Sequence, residues 1–328
     1  MSGGMGLLEA AFMGLVQGLT EFLPISSSAH IRILGDLTGE GEPGAAFTAM
    51  IQIGTELAVL LYFRRDIARI VVTWVRALAG AYGTGWRARV GLVSVGAGPT
   101  ASDMVDTAPA RRPRTGHGQP GTSHDALMGW FIIVGSIPIV VLGLLFKDSI
   151  ESTLRNLWLT VAMLSVFALL LGWADKIGEQ RRTVDDLTVR HALFFGLWQA
   201  LALIPGVSRS GGTITGGRFM GYTREAAARY SFLLAMPAVF GAGLLELVSS
   251  LGKFGECGNP SVAATVVATA IAFVVGYVVI IGFLKIVSTY SYKPFVYYRL
   301  VLAAVVAVLL LTGVLDPSAA VTTTECTG

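Results

Sequence analysis

The chain is expected to be an all-α polytopic membrane protein, an inverted repeat of about six transmembrane helices and two re-entrant broken-helix hairpins meeting near the bilayer midplane. Three observations lead there. Over 328 residues the composition is 53% hydrophobic and only 14% charged, with mean hydropathy +0.67, outside the usual balance of a soluble domain. Apolar runs long enough to cross, or nearly cross, a hydrocarbon core of about 30 Å recur along the chain. Within that apolar background one polar pattern occurs twice, as Gly14 to His30 (GLVQGLTEFLPISSSAH) and Gly196 to Thr213 (GLWQALALIPGVSRSGGT). Paired interruptions in corresponding positions of two halves point to a site at a repeat interface.

The N-terminal segment Met1 to Ala10 has no Lys or Arg and carries Glu9, so it does not read as a cleaved signal peptide. The run 6–34 holds the first motif; aligning Gln17 with Gln199 brings Pro24 near Pro205 and Ser26–Ser28 near Ser208–Ser210, with one gap. A span at 45–63 follows. The linker 64–126 carries Arg64, Arg65, Arg69, Arg76, Arg87, Arg89, Arg111, Arg112 and Arg114, which places it in the cytoplasm. Its Gly/Pro/Arg-rich part, 77–125, reads as a flexible loop whose arginines favour an anionic inner leaflet.

Spans at 127–146 and 157–174 lead back to Lys176, Arg181 and Arg182 on the inside. The loop 285–297, with Lys285, Lys293 and nearby Arg299, is also inside. Tracing back through spans 262–284 and 226–249 places 250–261 outside and Arg218, Arg224 and Arg229 inside. The run 190–220 then begins and ends on the same side and must dip in and return; 6–34 does the same from the opposite face. Ordinary transmembrane helices with Ser/Thr caps are the plain alternative. A last span at 298–315 precedes a tail, 316–328, and the whole forms one membrane domain of two repeats, about 6–174 and 190–315.

The chemistry is concentrated on the two interruptions. Gln17 and Glu21 share a helix face, and an ionised carboxylate at membrane depth costs on the order of 2.5–3.5 kcal/mol unless a cation, proton or water attends it. Pro24 ends that helix, Ser26, Ser27 and Ser28 can cap the next, and His30 is one turn from Ser27, which supplies a nucleophile and a base. In the second motif, Gly206, Gly211 and Gly212 permit a backbone concavity for an anion, and Arg209 offers a planar fork to phosphate oxygens. Ser208, Ser210 and Thr213 add hydroxyls. For Arg209 the competing role is a structural salt bridge to Glu21.

Gln52 and Glu56 lie four apart on one side of the 45–63 span, facing either the same cavity or a neighbouring helix. His117, His124 and His191 read as solvated. Cys257 and Cys326 lack metal-ligand spacing, and both fall outside in this topology, where they could pair. A net charge of +3 with basic residues in loops argues against nucleic acid as a partner.

These two motifs resemble those of the undecaprenyl pyrophosphate phosphatases of bacteria, the bacitracin-resistance phosphatases. That family's signatures are (Glu/Gln)-x-x-x-Glu followed by Pro-x-Ser-Ser-(Ser/Thr)-x-His, and Pro-Gly-x-Ser-Arg-Ser-x-x-Thr; they correspond here to Gln17–His30 and Pro205–Thr213. The resemblance implies cleavage of a polyprenyl pyrophosphate lipid to its monophosphate and inorganic phosphate, recycling the carrier for peptidoglycan synthesis. It implies bacitracin resistance, a bacterial plasma (inner) membrane location and a pocket open to the outer face. It also implies dependence on a divalent cation, Mg²⁺ or Ca²⁺, with Glu21 as catalytic and metal-associated acid, Ser27 and His30 as nucleophile and base, and Arg209 as phosphate clamp. Gln17, Ser26, Ser208, Ser210, Gly211, Gly212 and Thr213 would then line the phosphate site.

Position 17 is Gln, and a neutral amide cannot serve as a second anionic metal ligand. Attack by Ser27 and attack by a water that His30 positions both remain open, as does assembly, with a homodimer among the allowed forms. The rival from another class is a lipid-phosphate transporter, since broken helices at midplane suit carriers equally. A carrier needs an anion site but no Ser27/His30 pair, and a structural scaffold leaves Glu21 and Arg209 unexplained.

Overall fold

A computed structural model describes residues 5–38, 44–81, 85, 90–91, 123–147, 150, 154, 156–249 and 260–317. Among these the regular structure is helical and contains no strand. The helices are α1 (Leu7–Thr20), α2 (Ser27–Thr38), α3 (Ala45–Tyr62), α4 (Arg64–Leu78), α5 (Ser123–Leu145) and α6 (Leu157–Ile177) in the first half. In the second half they are α7 (Val189–Ala200), α8 (Arg209–Phe219), α9 (Arg224–Ser249), α10 (Val262–Thr289) and α11 (Lys293–Leu311). Six helices are long and apolar enough to cross a membrane: Ala45–Tyr62, His124–Leu145, Leu157–Ile177, Arg224–Ser249, Val262–Thr289 and Lys293–Leu311. They correspond to the six spans expected from hydropathy, so the chain is a multi-pass membrane protein. Outward faces are apolar, as lipid requires, with Val266, Val274 and Val278 exposed on α10 and Val301, Val305 and Val308 on α11.

Backbone contacts divide the chain into two compact units, Met1–Tyr62 with Ile132–Gly328, and Phe63–Phe131. In the smaller unit the first part of the expected linker forms helix α4. Arg69 reaches Asp125 at 3.1 Å and Asp66 at 3.2 Å, and the rings of Trp74 and Trp130 meet edge to face at 5.5 Å. The rest of the expected 77–125 loop, with His117, lies largely outside the described residues. Cys257 and Cys326 lie wholly outside them.

The larger unit holds both motifs, each an interrupted hairpin. Helix α1 ends at Thr20, where the Glu21 N–H still bonds to Gln17 O at 3.0 Å; a turn through Pro24 follows, since proline cannot continue the ladder. Helix α7 ends at Ala200, tightens into a 3₁₀ turn at Leu201–Leu203 and passes through Pro205 to α8. At 14, 12, 12 and 11 residues, α1, α2, α7 and α8 are each shorter than the roughly 20 residues of a full crossing.

Both entry helices are clamped to a neighbour at an equivalent glycine. A Cβ at Gly14 would come within 2.3 Å of Ala268 O in α10, and one at Gly196 within 2.2 Å of Gly135 O in α5. Only glycine permits backbones to approach so closely.

A buried ionic node joins α6, α8, α9 and α11. Asp175 Oδ1 accepts from Arg218 Nε at 3.2 Å and Arg224 Nε at 2.7 Å, while Oδ2 accepts from Arg224 Nη2 and the Tyr292 N–H, both at 3.1 Å. This corrects one step of the topology argument. Arg218 and Arg299 are fully buried and Arg224 is tied to Asp175, so they are not free loop charges. Lys176, Arg181, Arg182, Lys285 and Lys293 are exposed. Removing one partner of a buried ion pair strands the others. Asp175→Ala should therefore destabilise the protein by about 3–5 kcal/mol, seen as a lowered unfolding midpoint in detergent.

Candidate functional site

The two interruptions have the same local geometry. Ser26 and Ser208, equivalent in the alignment, both hold positive φ, 73° and 70°, a conformation costly for a residue with a side chain. In each copy the serine hydroxyl lies 3.2 Å from the hydroxyl two residues on, Ser28 or Ser210. Each strained serine immediately precedes a helix, so the next side chain projects from a fixed elbow. In the first copy that side chain is Ser27 and in the second it is Arg209.

Arg209 Nη2 donates to both Glu21 Oε1 and Glu56 Oε1, the latter at 2.9 Å. Glu21 Oε2 accepts from Ser27 Oγ at 2.5 Å and from Gln17 Nε2 at 2.9 Å. Ser210 Oγ donates to Leu23 O at 3.0 Å, tying the second elbow to the first. Glu21, Ser27, Arg209 and Gln17 are thus one hydrogen-bonded cluster contributed by both hairpins. The Arg209–Glu21 salt bridge that competes with phosphate binding is present, on the other oxygen of the carboxylate that holds Ser27.

His30 belongs to the site but not to the expected pair. Its Nδ1 lies 2.7 Å from Ser26 O and its Nε2 2.7 Å from Tyr298 Oη, while the Ser27 hydroxyl is given to Glu21. The acceptor in contact with Ser27 Oγ is therefore the Glu21 carboxylate, because the helical turn aims the imidazole back at the elbow and across to α11.

The expected amide cradle at Gly211 and Gly212 is also not formed. The Gly211 N–H is capped by Ser208 Oγ at 3.1 Å, and the Gly212 N–H bonds to Ser208 O at 2.7 Å. These glycines serve packing instead. A Cβ on Gly211 would meet Arg299 Nη1 at 2.8 Å, and one on Gly212 would meet Trp198 O at 2.9 Å. Gly206, at φ 94°, does make the turn expected of it. Thr213 is buried, donates to Arg209 O at 2.8 Å and pairs with Ser231 Oγ, so it braces α8 from behind. Ser208 and Ser26 shape the elbows.

Two residues of the site carry no such expectation from sequence, and a third is left between two readings. Glu56, which the spacing allows to face either the same cavity or a neighbouring helix, is fully buried and bound to Arg209. Tyr298 gave no signal beyond standing at the start of an apolar run. Arg299 had been counted as a loop charge. It is fully buried, without an acid partner among the described residues, and its guanidinium donates to Pro24 O and Val207 O at 3.1 Å, Gly206 O at 2.7 Å and Leu164 O at 3.2 Å. One side chain on α11 thereby holds the carbonyls of both elbows. The signal that could have found it is a charge within a membrane run, which is functional or structural by default.

Oxygen ligands suit Mg²⁺ or Ca²⁺. Among the described residues no group of three or more His, Cys, Asp or Glu side chains is placed to hold a metal. Two buried oxygens in this cluster, Gln17 Oε1 and Glu56 Oε2, nevertheless lack hydrogen-bond partners, so the donor set fits a sparsely ligated hard cation.

The family described as bacitracin resistance protein BacA matches residues 10–305. The chain is 56% identical over 318 residues to the undecaprenyl-diphosphatase of Bifidobacterium adolescentis, covering 96% of this chain and 98% of that protein. It is 52% identical over 313 residues to the undecaprenyl-diphosphatase of Pseudarthrobacter chlorophenolicus, covering 95% of this chain and 100% of that protein. Undecaprenyl-diphosphatase 2 of Agrobacterium fabrum is also 52% identical over 313 residues, with 95% and 98% covered.

If Arg299 holds the elbows, truncating it strands several buried carbonyls at about 1–3 kcal/mol each. Arg299→Met should lower the unfolding midpoint in detergent at least as far as Asp175→Ala does; a midpoint within a degree or so of wild type would remove its assigned role.

Proposed function

The chain belongs to the bacitracin resistance protein BacA family, and on that premise we propose that it is an undecaprenyl-diphosphate phosphatase of the bacterial plasma membrane. The reaction cleaves the anhydride P–O bond of undecaprenyl diphosphate, giving undecaprenyl phosphate and inorganic phosphate. It recycles the carrier for peptidoglycan synthesis and so underlies bacitracin resistance. The observation that carries the reading is the meeting of Ser27, Glu21 and Arg209 across two interrupted hairpins. The relatives reported above are named as phosphatases, and the transporter reading finds no support among them.

Phosphoryl transfer asks for positioning and charge neutralisation more than for strong covalent chemistry. Arg209 exchanges one carboxylate for the diphosphate, binding its oxygens with a planar fork. Ser27 Oγ attacks the terminal phosphorus while its proton passes to Glu21 Oε2, the acceptor it already contacts. The bridging P–O bond breaks and undecaprenyl phosphate leaves. Water then attacks the phosphoserine, giving inorganic phosphate and restoring the hydroxyl. His30, held by Tyr298 and Ser26 O, orients the first elbow and the attacking water. A divalent cation, when bound at Glu21, would neutralise charge on the diphosphate oxygens.

The hairpins α1–α2 and α7–α8 are read as entering the bilayer from opposite faces, supported by their short helices and by the exposed Lys176, Arg181, Arg182, Arg190, Lys285 and Lys293 in the loops assigned to the cytoplasm. On that topology the Ser27 side opens outward, where the carrier is released. Assembly as a homodimer belongs to the same reading and rests on no contact described above.

Purified wild-type protein in detergent should release phosphate from undecaprenyl diphosphate, and EDTA should abolish the release. Folded Ser27→Ala and Arg209→Ala variants should each lose on the order of 10³-fold or more in kcat/KM. His30→Ala should lose less than Ser27→Ala, because the imidazole does not contact the hydroxyl. Absence of release from well-folded wild type with Mg²⁺ present would falsify the phosphatase reading. A phosphoserine trapped at position 27 on acid quench supports covalent attack, and its absence under single turnover favours water.

A further inference from the structure

Glu56 is the member of the cluster with the most unusual bonding. It sits in the middle of α3, fully buried, in a span that is otherwise apolar over most of its length. Its Oε1 accepts from Arg209 Nη2 at 2.9 Å, but its Oε2 has no hydrogen-bond partner among the described residues. Gln17 has a similar arrangement. It is fully buried, its Nε2 donates to Glu21 Oε2 at 2.9 Å, and its Oε1 is without a partner among the described residues. A buried oxygen left unpaired costs about 1–3 kcal/mol, more if charged, and two such atoms on side chains gripping the same ion pair call for a common ligand.

The charges identify that ligand. Two carboxylates, Glu21 and Glu56, face one guanidinium and accept from the same nitrogen, Nη2. When a diphosphate draws Arg209 away, both acids lose their cation inside a membrane protein, where unpaired charge is expensive. An added cation with oxygen preference relieves both effects, because it can take carboxylate oxygens and an amide carbonyl oxygen together.

We infer that Glu56 is a ligand of the divalent-cation site, supplying with Glu21 the pair of carboxylates that Gln17 cannot complete, and that the Gln17 amide oxygen is the third protein ligand. Three protein oxygens leave room for water and substrate oxygens, the pattern Mg²⁺ favours. This inference rests on the phosphatase reading for the arrival of the diphosphate, but the cation site is defined by this chain's own residues. The three ligands come from α1, the turn that follows it and α3, so cation binding would fix α3 against the first hairpin while Arg209 from the second hairpin is free to follow phosphate.

The test is Mn²⁺ binding, read by the electron paramagnetic resonance of free Mn²⁺, on the full chain in detergent with no lipid substrate. Glu56→Gln should weaken Mn²⁺ binding about tenfold or more, and adding Gln17→Glu to that variant should restore most of the loss by returning a second carboxylate beside Glu21. Binding by Glu56→Gln equal to that of wild type, or no Mn²⁺ binding by wild type, overturns the inference. If Glu56→Gln is not recovered folded, Glu56→Asp, which keeps the charge and shortens its reach, takes its place: weakened Mn²⁺ binding supports the ligand role, and binding equal to wild type overturns it.

Phosphate release is measured on the same samples. Hydrolysis with Mn²⁺ binding indifferent to Glu56 rejects the ligand role alone. Mn²⁺ binding that depends on Glu56 in a wild type that releases no phosphate rejects the phosphatase reading alone.

Discussion

The site depends on one buried ionic contact, the Arg209 guanidinium shared by Glu21 and Glu56. Its partners are 188 and 153 residues apart in sequence, so it exists only if both hairpins and α3 converge. An isolated charge at this depth would be costly, and each of the three groups is tolerable only because the others are present. On the proposed phosphatase reading the same pairing also prepares the chemistry: a guanidinium already bound to carboxylate oxygens is oriented for phosphate oxygens, and the carboxylate it would release already holds the Ser27 hydroxyl.

Holding the charges in register falls to the elbows. Ser26 and Ser208 adopt the same left-handed backbone, each followed by a helix whose first residue enters the site. The strain is tolerated because the carbonyls around it are fully employed. Arg299 takes Pro24 O from one elbow and Gly206 O and Val207 O from the other, and the neighbouring Tyr298 takes His30. Consecutive residues of α11 thus brace both elbows, while Gly14 and Gly196 let the entry helices lie against α10 and α5. Positional precision of this kind matters because an error of about 1 Å in a reacting group can cost on the order of 10²-fold in rate.

Much of this was legible from residues alone. Six spans followed from hydropathy because lipid demands long apolar helices, and the two helix interruptions followed from proline and serine clusters repeated in equivalent places. Gln17, Glu21, Ser27, His30 and Arg209 were singled out because polar groups at membrane depth need a reason. Illegible were the partners reached through tertiary contact. Spacing along α2 paired Ser27 with His30, but the stronger acceptor, Glu21, comes from the preceding turn. Glycine content read as an anion cradle, yet Gly211 and Gly212 are small because Arg299 and Trp198 crowd them. Arg218 and Arg299 read as cytoplasmic charge because sequence does not show that Asp175 and the elbow carbonyls bury them.

The central claim, that the two hairpins are joined through Arg209 and Glu21, is tested most directly by a double-mutant cycle on unfolding free energy using Glu21→Gln, Arg209→Gln and the double variant. Residues in direct contact should show a coupling of about 1 kcal/mol or more, with the double variant less destabilised than the sum of the singles. Effects that add to within about 0.5 kcal/mol would contradict the contact and the two-hairpin site built on it.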